Sequence, residues 1–175
     1  MHIAKNSLTD KAEDSVTGDT LATLRAQASA ANINEKTLLA TDYLNHFNEF
    51  VMVLELIPDM PDCLEDADAW RPKHYQDYFR DSAFSAKELA VQAYDHSPAE
   101  YRVQFEYVVD MINSMIPKAL DRIRSAIDED NAERVGFECT NTSQSLQKLM
   151  ALVSAVINGE NPTINQQGID TILEN

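Results

Sequence analysis

The run Ser97-Pro98-Ala99-Glu100 constrains this chain more than any other stretch, because it joins an N-cap, a proline suited to the first helical position and a capping-box acid. A long helix is expected to follow to about Asp128, with Tyr101, Phe105, Val108, Ile112, Met115, Ala119, Ile123 and Ala126 in near-heptad register. Pro117 falls inside it and should kink rather than end it, since the apolar period resumes beyond. Asp130-Asn131-Ala132-Glu133 repeats the start signal, and a last helix is expected from 131 to 158. Its stripe is Phe137, Cys139, Leu146, Leu149, Met150, Val153, Val156 and Ile157. So short a connection makes the two helices an antiparallel hairpin.

Two such helices need a further apolar face to close a core. Asn34 caps a predicted helix from Glu35 to Ile57, with Leu39, Tyr43, Phe47, Phe50, Leu54 and Ile57 at helical spacing and Pro58 as its stop. Only four glycines occur in 175 residues, which suits a helical chain. The expected fold is therefore all-α: an antiparallel helical bundle over 35–158, with a short-helix insertion at 58–96 and a flexible C-terminal peptide at 159–175. Three helices close alone or borrow from a second copy, so a homodimer is one expected state.

Within the insertion, Pro58, Pro61 and Pro72 cut the chain into short pieces, and Ser85-Ala86-Lys87-Glu88 reads as a capping box. Trp70, Tyr75, Tyr78, Phe79, Phe84 and Tyr94 make it aromatic, a lid for one end of the bundle. Residues 1–34 read as a polar N-terminal arm carrying one short helix around 20–29.

A net charge of -15 argues against a nucleic acid partner and against an anionic membrane surface. With no apolar run of spanning or secretory length, the expected location is cytoplasmic. Cys63 and Cys139 then read as reduced, buried side chains. His46 has Asp42 and Glu49 at i-4 and i+3, but the local order is His-x-x-Glu rather than Glu-x-x-His. A hydrogen-bonded bundle histidine is expected there, with no metal and no cofactor.

Beyond the helix stop at Asn158-Gly159 lies a short one-faced segment. Asn165 is a good N-cap, Ile169, Ile172 and Leu173 fall at i, i+3 and i+4, and Asp170 stands on the polar side. Two turns cannot hold themselves helical in water, so the segment either folds against a groove or packs back on its own bundle. Ile164-Asn165-Gln166 with Ile169-Asp170 and Ile172-Leu173 resembles the N-terminal peptide of the flagellar motor switch protein. It is also similar to the C-terminal tail of the CheZ chemotaxis phosphatases. The resemblance covers these terminal residues alone. It implies a phosphorylated, CheY-type response-regulator receiver as partner, with Gln166, Ile169, Asp170, Ile172 and Leu173 as contact residues.

Hydrolysis of a receiver acyl phosphate requires an amide side chain to aim water at phosphorus and an acid beside it. Glu138, Asn141 and Gln144 on the last helix are the catalytic candidates, and Glu138 with Asn141 reproduces the Glu-x-x-Asn core of the CheC and CheX phosphatases. Arg134 stands where that pattern carries Asp or Ser, and the same residues also read as a solvated polar face with a few buried Ser and Thr. A non-enzymatic binding protein is the expectation, with receiver phosphatase as the enzymatic option. The rival is a structural or assembly protein acting through its bundle surface.

Overall fold

The computed structural model describes residues 7–160, of which 7–17 as backbone only, together with residues 169 and 170. Among the described residues the chain is all-α, with seven helices and two 3-10 turns. The helices are α1 (Ser7–Ala30), α2 (Asn45–Leu56), α3 (Leu64–Ala69), α4 (Tyr75–Asp81), α5 (Lys87–Asp95), α6 (Ala99–Asp128) and α7 (Ala132–Ile157).

The α6/α7 hairpin is the frame. Ile112, Ile116, Ala119, Ile123 and Ala126 on α6 meet Cys139, Leu146, Leu149, Val153 and Val156 on α7, all buried. Arg122 and Glu138, eight residues either side of position 130, bridge the two helices at 2.8 Å, as an antiparallel pair requires. The turn between them is a Schellman closure: Asn131 N donates to Ala126 O and Asp130 N to Ile127 O, with Asp130 left-handed at φ 53°. Asn131 then caps α7, accepting from Arg134 N at 3.0 Å. α6 runs unbroken through Pro117.

Against this frame pack α2 on α7 and α3 on α2 and α6, while the α4/α5 pair reaches α6 through the rings of Tyr75 and Tyr94 on Phe105. The expected helix over 35–57 begins only at Asn45, after a 3-10 turn at Thr41–Leu44. Asn34 does cap, its Oδ1 accepting from Lys36 N and Thr37 N, but the turn it starts is closed at once by Leu38 at φ 59°. Leu38 N returns to Asn34 O at 2.7 Å, and Asn34 N donates to Leu39 O at 2.9 Å. A leucine in that conformation is strained by about 1–2 kcal/mol. Its side chain is wholly buried, which offsets a cost of that size.

This compact loop sits against the end of α7. The Thr37 hydroxyl donates to Ile157 O at 2.6 Å, and Lys36 Nζ to Gly159 O at 2.9 Å. The Ser97 hydroxyl donates to Thr37 O at 2.7 Å, and the Tyr75 hydroxyl accepts from Ala40 N at 2.8 Å. Ser97 is thus spent on the loop rather than on capping, and α6 starts from Pro98 with no side-chain cap. The capping box expected at Ser85 is likewise unused, since α5 opens at Lys87 behind Ala86.

The N-terminal arm is a helix of 24 residues rather than a short one over 20–29. Its last turns bury Leu24 and Ala28, it packs on α5, and it ends in a Schellman turn with Asn32 at φ 59° and Ile33 buried. Phe137, counted with the apolar stripe of α7, points outward and is 66% exposed.

Thr37→Val keeps the shape of the loop and orphans the Ile157 carbonyl, so urea denaturation should show a loss of about 1–3 kcal/mol. Thr23→Val, which removes a hydroxyl bonded to Asp19 O on the exposed face of α1, should stay within about 0.5 kcal/mol.

Candidate functional site

Three regions hold the residues singled out by sequence. The first is the C-terminal segment. Ile169 is helical, fully buried and part of the hydrophobic core, while Asp170 beside it is exposed. The expectation of a tail held apart from the core therefore fails at Ile169, for a simple reason: an apolar face presented by a short tether finds its own bundle first. Gln166, Ile172 and Leu173 lie outside the described residues.

The second region is the polar middle of α7. Asn141 and Gln144 are exposed, whereas Glu138 is pulled into the helix pair by Arg122, its side chain only 13% exposed. Arg134 is engaged by Glu129 at 2.6 Å. Thr142 and Ser143 are buried; the Ser143 hydroxyl donates to Glu55 at 2.8 Å and accepts from Gln147 Nε2 at 3.3 Å. Glu138 and Asn141 share a helix face, but the acid is neutralised within the molecule. Phe137 lies four residues before Asn141 and seven before Gln144, so the outward strip is an aromatic ring followed by two amides. Its apolar identity hid it among the core positions, and only its phase relative to Cys139 and Leu146 sets it apart.

The third region is the aromatic insertion. The Tyr43 ring lies 5.4–5.6 Å from those of Phe47, Tyr75, Tyr78 and Phe105, and its hydroxyl donates to Lys73 O at 2.8 Å. His46 stacks on Trp70 at 4.6 Å; Trp70 Nε1 donates to His46 O, and His46 Nε2 accepts from Lys73 N at 3.1 Å. An accepting Nε2 places the proton of the neutral ring on Nδ1. Burial pushes the imidazole down to about 4, against a hydrogen bond at the Arg71 backbone and with help from the Lys73 charge. His46 is thus a structural, hydrogen-bonded ring. Among the described residues no three His, Cys, Asp or Glu side chains gather as a metal site.

A cavity of about 460 Å³ opens beside His46, with Glu49, Lys73, Tyr78 and Asp81 on its wall. Lys73 Nζ is held by Asp81 at 2.9 Å there. Both cysteines are free: Cys139 is buried, its thiol pushed up to about 11 by burial and then by Glu138, while Cys63 is half-buried. No described helix is long and apolar enough to cross a membrane.

The His46 shift gives a pH dependence of definite sign. Between 6.5 and about 4 the unfolded chain takes up a proton that the folded one refuses, so stability is complete above pH 6.5 and falls as pH drops through that window. The limiting slope is about 1.4 kcal/mol per pH unit. Denaturation series between pH 7 and 5 should show this loss, and His46→Gln should flatten it.

No protein-family model, curated protein or solved structure matches the chain.

Proposed function

We propose that this protein binds a phosphorylated CheY-type response-regulator receiver through its C-terminal segment and does so as a non-enzymatic adaptor or sink. The observation that carries the reading is the pairing of a fully buried Ile169 with an exposed Asp170. That is the inside-outside alternation which a groove-binding peptide of this pattern needs. On this reading the bundle's own apolar seat holds Ile169 until an activated receiver competes for it. The acidic surface, at net charge -15, suits a basic partner face and speeds encounter. The Arg122–Glu138 pair supports the non-enzymatic choice, because an acid committed within the molecule is not free to engage a receiver lysine.

A second reading has its own support. Met52, Leu56 and Met60 are exposed at i, i+4 and i+8 along and just beyond α2, an apolar strip of the kind that assembly proteins use. On that reading the bundle surface acts and the tail is only a packing element.

The two separate in a titration of receiver, with and without a phosphoryl mimic, against the full chain and against a labelled 160–175 peptide. Affinity should rise on activation. The peptide should also bind about tenfold to a hundredfold more tightly than the full chain, because exposing a buried isoleucine costs about 1.5–3 kcal/mol. No binding of either receiver form to either ligand would sink the receiver reading and leave assembly ahead. In the same system, substoichiometric protein should leave receiver dephosphorylation unchanged, with Asn141→Ala and Gln144→Ala indistinguishable from the parent. Acceleration abolished by either substitution would restore catalysis.

A further inference from the structure

From Thr37 to Trp70 the chain carries no lysine or arginine, while Glu49, Glu55, Asp59 and Asp62 fall within or just beyond α2. All four are exposed, and among the described residues none of them makes an ion pair. Between them runs an apolar ridge. Met52 is 67% exposed, Leu56 46% and Met60 49%. Met60 N donates to Leu56 O at 2.9 Å, so the ridge continues past the end of the helix at one-turn spacing, to a length of about 12 Å. Phe137 joins it at one end. The Thr37 loop and the turn at Thr41–Leu44 lie against the C-terminal end of α7, and Ser143 meets Glu55, so α2 runs antiparallel to α7. Steps forward from Glu55 to Met60 and back from Ser143 to Phe137 therefore lead to the same end of the molecule. Of the six large apolar side chains exposed among the described residues, four belong to this face. Such a concentration marks an interaction surface, and methionine is the residue that adapts to an incoming side chain.

The charge around the ridge selects its occupant. A second copy set on it by a two-fold axis would place these acids against their own kind, and an anionic membrane surface meets the same repulsion. The chain's own residues 161–175 hold two acids and no cation. An apolar ridge between carboxylates is complemented by an apolar stripe between cations. We propose that the α2 ridge is a docking surface for a basic amphipathic helix of a partner protein, its apolar stripe lying along Met52, Leu56 and Met60 and its lysines or arginines meeting Glu49, Glu55, Asp59 and Asp62. This docking rests on the bundle-surface reading, to which it gives a partner, and it stands whether or not a receiver binds the C-terminal segment.

The test titrates the full chain against a fluorescent peptide of about 18 residues, with leucines at i, i+4, i+7 and i+11 and lysines flanking that stripe. One control peptide has the same composition in scrambled order, and another has glutamate in place of lysine. The patterned peptide should bind about tenfold or more tightly than either control, with amide shifts in the isotopically labelled chain centred on Glu49 to Cys63. Met52→Ser and Leu56→Ser should each weaken it about fivefold or more with an unchanged helical circular dichroism spectrum, while Val103→Ser, an exposed apolar position on α6, leaves it unchanged. Glu49→Gln combined with Asp59→Asn should weaken it about threefold and flatten its salt dependence. Equal binding of the scrambled peptide would reduce the effect to net charge and overturn the docking, as would shifts centred elsewhere or full affinity in Leu56→Ser. Sedimentation equilibrium of the chain alone separates the two levels. A dimer dispersed by Leu56→Ser would keep the bundle-surface reading and overturn the basic helix in favour of a second copy, whereas a monomer that binds no peptide would overturn both.

Discussion

The Thr37 hydroxyl, with Lys36 Nζ beside it on Gly159 O, ties the loop over 34–44 to the end of α7. It donates to the Ile157 carbonyl, one of the last acceptors that α7 cannot satisfy for itself, while the Thr37 carbonyl receives the hydroxyl of Ser97. Helix end, loop and the start of α6 thus meet in one buried polar knot, with Thr37 and Ser97 both screened from water. Away from solvent such bonds are strong and their loss is expensive, so the knot sets the relative position of three elements that the apolar core alone would let slide. Tyr75 extends it through Ala40 N into the aromatic insertion.

The hairpin was legible because two long amphipathic periods, separated by three residues, admit one arrangement. The segment from 34 to 44 was not. Asn34, Leu39 and Tyr43 fit a helical register well, and the break comes from Leu38 taking a left-handed conformation that a leucine adopts only when tertiary burial compensates. Ser97 shows the same limit from the other side. It occupies a cap position by every local rule, yet a buried carbonyl on another segment claims its hydroxyl.

Among the site residues, local pattern went no further than a solvated polar face with a few buried Ser and Thr, and the structure exposes Asn141 and Gln144 and buries Thr142 and Ser143. That pattern could not show that Glu138 is claimed by Arg122, since the pairing depends on how two helices are phased across their turn. His46 was assignable to the bundle from spacing, but its stacking on Trp70 and its acceptor bond to Lys73 N come from the insertion folding back over α2.

Gly159 sets how the chain turns away from the axis of α7. At φ 82° it closes α7, with Glu160 N returning to Ala155 O, and a side chain there would stand 2.9 Å from Cδ of Lys36. The exit point is therefore pinned beside the Thr37 loop, and Ile169 follows only nine residues after Glu160. On so short a leash the isoleucine meets its own pocket at a local concentration on the order of millimolar. On the proposed reading a foreign groove must outbid that standing offer, so the number of residues between Gly159 and Ile169 would set how readily the segment is released.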